Sequence, residues 1–169
     1  MNETKFKEYK DFMDKDFITY LSNHYLLNVF HRYGHTSIPG TGGKTFFATE
    51  MHQDVVSNFV THKLIKKFGV NQFKRIYINL QFNGMDGDWH SDDGEKTYML
   101  MVTPTLKKDS GCFEICDTPT MAPPTEKTKI HKVAFEQNKL VIFTAKLWHR
   151  GRAPLETNTP RITLAFKSI

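Results

Sequence analysis

Hydrophobic and polar positions change their rhythm near residue 74. Before it, apolar residues recur at helical intervals. Ile18, Leu21, Tyr25 and Val29 share one face, with Asp16 as a candidate cap. Val56, Phe59, Val60, Leu64 and Phe68 share another, and Gly69 stands where that helix would stop. The stretch Thr36-Ser37-Ile38-Pro39-Gly40-Thr41-Gly42-Gly43 between them is loop by composition. After residue 74 the period falls to two. Ile76, Ile78, Leu80 and Phe82 alternate with Arg75, Tyr77, Asn79 and Gln81. Further strands are predicted at Lys96–Thr103, Gly111–Cys116, Thr128–Phe135, Lys139–Ala145 and Arg161–Lys167. Turns fall at Asn83-Gly84, Asp109-Ser110-Gly111, Pro123-Pro124 and Asn138. The pattern predicts a mainly β fold with N-terminal helices (α+β), an antiparallel sandwich or barrel with the helices packed on one sheet. A single domain is expected, with helical support over about 1–70 and the strand core over about 74–169.

Composition narrows the class only a little. The chain has 169 residues, 39% hydrophobic and 24% charged, enough for a real core. No apolar run approaches the roughly 18 residues of a membrane span. Met1-Asn2-Glu3-Thr4-Lys5 lacks the apolar stretch of a signal peptide, so an intracellular, cytoplasmic protein without membrane contact is expected. The net charge of +5 fits an anionic ligand or nucleic acid, but such a charge more often reflects solvated lysines such as Lys7, Lys66 and Lys67. Cys112 and Cys116 would stand about 13 Å apart on a strand, too far for a disulfide, and are read as free thiols. Oligomeric state is not legible.

The candidate chemistry lies in Trp89-His90-Ser91-Asp92 and Trp148-His149-Arg150-Gly151. On a strand, His90 and Asp92 would point to the same side, with Ser91 and Asp93 turned away. Two histidines and one carboxylate are the ligand set that holds non-haem Fe(II) with open positions. His149 is the third candidate because it follows the apolar run Leu140–Phe143 and precedes Gly151. His24, His31, His35, His52, His62 and His131 fall on helices, loops or an outer strand and are read as structural. Trp89 and Trp148 are read as packing residues sheltering the site, with a substrate contact as the alternative.

Arg161 adds what a metal alone does not need. Arg161, Thr163, Ala165 and Lys167 form one face of the last strand, opposite Ile162, Leu164 and Phe166. If the polar face lines a cavity, the guanidinium can grip a carboxylate, with the Thr163 hydroxyl as a further donor. Tyr77, Asn79 and Gln81 would face the same cavity.

Over about residues 74–169, His90-Ser91-Asp92, His149 and Arg161 stand in an order and spacing that resemble the 2-oxoglutarate- and Fe(II)-dependent dioxygenases. The resemblance implies a double-stranded β-helix (jelly-roll) core. It implies Fe(II) on His90, Asp92 and His149, with 2-oxoglutarate chelating the iron and its far carboxylate on Arg161 and Thr163. O2 is the oxidant, ascorbate a further cofactor, and succinate and CO2 are the co-products of C–H hydroxylation. The prolyl-4-hydroxylase-type enzymes are the more similar group, with Tyr98 and Tyr77 as candidates for their cosubstrate-side tyrosine and a peptide or protein as substrate. Asn79-Leu80-Gln81, His90-Ser91-Asp92-Asp93 and the cation pair Arg161 and Lys167 also resemble AlkB-type demethylases, which act on nucleic acid; Lys167 would then lie on the substrate side. A zinc hydrolase uses the same ligands but gives no role to Arg161. A cupin-like binding module without turnover is a further class. The loops Ser37–Lys44 and Asp117–Lys127 are expected to meet the substrate.

Overall fold

The computed structural model describes residues 6–38, 40, 43–51, 54–117 and 122–169. His52, the N-terminal pentapeptide and parts of both predicted substrate loops (residues 39, 41–42 and 118–121) lie outside the described residues. The elements are β1 (Phe6–Tyr9), α1 (Lys15–Leu27), β2 (Arg32–His35), β3 (Phe46–Glu50), α2 (Val55–Phe68), β4 (Phe73–Gln81), β5 (Lys96–Met101), β6 (Phe113–Cys116), β7 (Ile130–Val133), β8 (Leu140–Thr144), β9 (His149–Gly151) and β10 (Arg161–Ser168). No helix among these is long and apolar enough to cross a membrane.

Both helices begin on an aspartate. Asp14, not Asp16, caps α1: its carboxylate accepts from the Asp16 and Phe17 amides at 2.9 and 3.4 Å. Asp16 sits instead in the first turn, where a negative charge favours the helix dipole. Asp54 caps α2 through the Ser57 amide at 2.6 Å. Gly69 closes that helix at φ 66°, a left-handed conformation that suits glycine.

Antiparallel strands form a seven-stranded sheet, ordered β1-β8-β5-β10-β4-β3-β2, and a three-stranded sheet, β7-β6-β9. The smaller sheet is extended by one residue through a single bridge between His90 and His149. Four of these strands have no counterpart in the predicted set: β1, β2, β3 and β9. Each is at most five residues long, and Arg32–His35 and His149–Gly151 carry no apolar alternation.

Two apolar layers follow from the register. Leu164 faces Ile78 and Leu100 on its neighbouring strands, and Phe166 faces Ile76 and Tyr98. These residues join Ile18, Leu21 and Tyr25 of α1 and Val60 and Leu64 of α2 in one buried cluster. A second cluster joins Met99, Met101, Val141 and Phe143 of the large sheet to Phe113, Ile115 and Val133 of the small one. The other face of β10 opens at one end of that second layer. Arg161 stands opposite Gln81, Thr163 opposite Asn79, and Ala165 opposite Tyr77.

Candidate metal and cosubstrate site

The segment after β4 is tied to the β9–β10 connection, and this brings His90 to His149. Gly87 donates to the Gly151 carbonyl at 2.8 Å, and Asp86 accepts from Arg152 Nε and the Ala153 amide, both at 2.9 Å. His90 and His149 then exchange backbone hydrogen bonds at 3.1 and 2.8 Å. Two residues past the bridge, the Asp92 amide donates to the Ala145 carbonyl, just beyond β8, at 2.8 Å. His90 and Asp92 thus keep the alternation that the sequence suggested, although only His90 is paired, through a one-residue bridge and not a full strand. Ser91 and Asp93 are exposed, and Asp93 pairs with Lys74 at 2.6 Å.

One ligand atom from each of His90, Asp92 and His149 lies within 4.8 Å of the others. His149 Nε2 is 3.5 Å and His90 Nε2 3.8 Å from the Asp92 carboxylate. Both Nδ1 atoms lie against backbone carbonyls, His90 on Asp88 at 2.9 Å and His149 on Leu147 at 2.8 Å. A carbonyl can only accept, so each Nδ1 carries the proton and each Nε2 lone pair faces the carboxylate. That tautomer is the one a metal needs. Burial pushes the His149 imidazole down to about 4 and favours its neutral form. Burial would raise the acid of Asp92, but His149, Lys167 and His90 together hold it below the usual carboxylate range. Thr97 Oγ1 donates to one Asp92 oxygen at 2.6 Å, and Lys167 Nζ lies 2.8 Å from the other. Two imidazoles and one ionised carboxylate, with His149 and Asp92 buried and His90 half-buried, suit Fe(II) or Zn(II).

Arg161 shares the pocket. His90, Asp92 and His149 line it together with Arg161, Thr163 and Gly151, in a narrow space of about 40 Å³. Gly151 is two residues along β9 from His149, about 7 Å for a strand, and its position lies beside the guanidinium. Arg161 is 1% exposed. Burial draws its guanidinium down to about 10, so it stays charged at neutral pH. Nε donates to the Gly111 carbonyl at 2.7 Å and Nη1 to Gln81 Oε1 at 2.6 Å. Nη2 is buried with no hydrogen-bond partner among the described residues. An orphaned cationic donor is costly inside a protein, and an anionic ligand is the natural group to complete it.

No family model and no curated protein sequence matches the chain. Solved structures do. A prolyl hydroxylase from Trichoplax adhaerens, in complex with a hypoxia inducible factor oxygen degradation domain peptide, superposes with TM-score 0.76 at 13% identity, over 99% of this chain and 84% of that one. A Pseudomonas putida prolyl-4-hydroxylase gives TM-score 0.68 at 11% identity, over 99% of this chain and 94% of the other. The non-heme alpha ketoglutarate dependent epimerase SnoN of nogalamycin biosynthesis gives 0.72 at 12%, over 96% and 76%. The chain has the 2-oxoglutarate/Fe(II) oxygenase fold. That fold agrees with the one implied by the family that the His90, Asp92, His149 and Arg161 pattern resembles.

Within this oxygenase fold the remaining candidates divide. Thr163, Asn79 and Tyr77 line the pocket with the triad. Tyr98 does not: it pairs with Phe166 on the opposite face of the sheet and packs on Phe68 and Phe73, because its position on β5 has the parity of the apolar layer. Gln81 borders the pocket, but its amide is turned to Arg161, Met85 and Gly151. Lys167 is held by Asp92 and Asp93 and lies 5.3 Å over the Tyr77 ring. Trp89 stacks under the Arg150 guanidinium at 4.6 Å, and both Trp89 and Trp148 are half-buried and outside the pocket lining. Among the remaining histidines, His31 contacts the Tyr25 carbonyl, His24 faces Asp54 and His131 faces Asp117. His35 is the exception. With Thr36, Ser37 and Phe46 it lines a wider cavity of about 350 Å³, which shares Tyr77, Asn79, His90 and Asp92 with the inner pocket. Sequence reasoning missed His35 and Phe46, since both stand on short strands that it did not predict.

Proposed function

We propose that the chain is a single Fe(II)- and 2-oxoglutarate-dependent dioxygenase domain that hydroxylates a C–H bond, with α1 and α2 covering the outer side of the large sheet. One observation carries the reading: three convergent metal-ligand side chains share a pocket with a buried guanidinium nitrogen that lacks a partner among the described residues. A zinc hydrolase accounts for the first half of that observation and leaves the second without a purpose. A cupin-like binding module differs only in lacking turnover, which the assay below reads directly. The cation pair behind the nucleic-acid demethylase reading is weakened, because Lys167 is already neutralised by Asp92 and Asp93.

His90 Nε2, His149 Nε2 and one Asp92 oxygen would hold the metal. When bound, iron and 2-oxoglutarate supply the oxidising chemistry, with O2 as oxidant, succinate and CO2 as products and ascorbate as accessory reductant. The carbonyls of Asp88 and Leu147 keep both rings in the ligating tautomer. Thr97 and Lys167 orient the Asp92 carboxylate. Arg161 would take the distal carboxylate of the cosubstrate, with the Thr163 hydroxyl beside it and Tyr77 and Asn79 on the flank. Phe113, Phe143 and Met99 keep water from the space between. The wider cavity bordered by His35, Phe46 and Lys167 is the proposed substrate side. A prolyl or other protein side chain is the proposed substrate, by analogy with the peptide complex of the Trichoplax adhaerens enzyme.

The test is anaerobic addition of Fe(II) and 2-oxoglutarate, which should give a weak visible charge-transfer band that is absent in His149→Ala. In air, proline-rich peptides should gain one oxygen as succinate accumulates. No band and no succinate, coupled or uncoupled, would reject the proposal.

A further inference from the structure

Gln81 and Arg161 stand opposite each other on β4 and β10. The Gln81 amide is fully used: Oε1 accepts from Arg161 Nη1 at 2.6 Å, while Nε2 donates to the Met85 carbonyl at 2.7 Å and the Gly151 carbonyl at 3.2 Å. These two carbonyls fix which end of the amide faces the guanidinium, since neither can donate. Arg161 is held from other sides as well. Nε donates to the Gly111 carbonyl, and the guanidinium carbon lies 5.0 Å over the Phe135 ring. A Cβ on Gly151 would come within 3.1 Å of both Nη1 and Gln81 Oε1. A Cβ on Gly111 would come within 2.4 Å of Leu106 Cδ1 and 3.2 Å of Arg161 Cδ, and its φ of +59° favours glycine in any case. The glycines therefore let two backbone segments close on the cation. Of the guanidinium nitrogens, Nη2 alone has no partner among the described residues.

We infer that Gln81 is a positioning residue for the cosubstrate: it does not touch the dicarboxylate, but fixes the Arg161 guanidinium so that its free nitrogen faces the pocket. The inference rests on the reading of Arg161 as the distal-carboxylate site. An arginine side chain free to move would lose rotamer freedom on binding; this one has lost it on folding, so the ligand meets a preorganised donor. A fixed cation also sets a fixed distance to the metal ligands, and thereby the length of diacid that fits. Disorder introduced at Gln81 should weaken binding of a ligand that reaches Arg161 and spare one that only chelates the metal.

The probes are 2-oxoglutarate, which reaches both ends, and oxalate, which chelates a metal but is too short to reach the guanidinium. Binding to the Mn(II)-loaded protein is measured by calorimetry, without turnover. Gln81→Met is expected to weaken 2-oxoglutarate about tenfold and to leave oxalate within about twofold. Added to Arg161→Met, the same change should cost nothing further, since both act through one contact. Equal losses for the two ligands, or additive losses in the double variant, would overturn the positioning role while leaving Arg161 its own. An Arg161→Met protein that binds 2-oxoglutarate as well as wild type overturns both. If Gln81→Met does not fold, Gln81→Glu takes its place. It keeps the length and the acceptor but sets a carboxylate against the guanidinium, so 2-oxoglutarate should weaken about tenfold or more with oxalate unaffected. Unchanged 2-oxoglutarate affinity in that variant rejects the inference.

Discussion

The two faces of β10 are equally buried and do opposite things. Ile162, Leu164 and Phe166 are 0% exposed on one side; Arg161, Thr163 and Ala165 are 1–3% exposed on the other. The first face meets carbon everywhere, and its contribution is packing and water exclusion. The second carries polar groups, and one of its donors has no hydrogen-bond partner among the described residues. Depth therefore does not separate core from site here. Satisfaction does: a face whose polar atoms are all paired is structure, and a face that leaves a charged donor unpaired is waiting for a ligand.

Substitutions on and around the two faces test that contrast. The largest effect is expected at the metal end, where His149→Ala should abolish Fe(II) binding and turnover, with the folded state retained by circular dichroism. On the apolar face, Leu164→Ala should cost about 2–5 kcal/mol, read as a lower midpoint in urea. Its folded fraction should bind Mn(II) and 2-oxoglutarate normally; loss of ligand affinity would show that the faces are not independent. On the polar face, Arg161→Met should weaken 2-oxoglutarate by about ten- to a hundredfold, as for one charge-assisted contact, while the metal affinity stays as it was. Thr163→Val should give a smaller change in the same direction, a few-fold for one neutral hydrogen bond.

The smallest effect concerns the segment that carries His90 rather than either face. Burial works against ionised Asp86, but hydrogen bonds from the Ala153 amide, Arg152 and Lys44 draw it down from 3.8 to about 2. A carboxylate lowered by folding adds stability above its unfolded value, and that stability is lost as pH falls from about 4 toward 2. Asp86→Asn should accordingly lower the thermal midpoint at pH 7 and flatten its decline over that acid window. An unchanged slope would remove Asp86 from the account.

Legibility followed the range of the interaction. Most of the helical faces of α1 and α2 and the alternation of β4 and β10 could be read directly, because periodicity is local; Phe59, placed on the α2 face, is 62% exposed, and Val29 lies past the end of α1. Tyr98 was assigned to the cosubstrate although its strand parity sends it with Leu100 into the apolar layer. Gln81 was expected to face the ligand, and nothing in its neighbours along the chain announces that Met85 and Gly151 would take its amide. Asp16 and Asp14 differ by half a helical turn, a choice that only the hydrogen bonds to the amides make visible. His90 and Asp92 were paired on the assumption of a strand; they do share a side, with Ser91 and Asp93 exposed, although only His90 is paired, in a one-residue bridge.

What the sequence determined by itself is the inventory and its sides: two imidazoles, a carboxylate and an arginine, with the arginine on a polar face that alternates against an apolar one. Each of those statements depends on residues a few positions apart, where covalent geometry fixes which way side chains point. The tertiary structure alone decided that His90 meets His149, that Gln81 and two glycines close on Arg161, and that His35 reaches the cavity. Those contacts join segments far apart in the chain. Their register is set by the packing of whole sheets, so no local pattern encodes them.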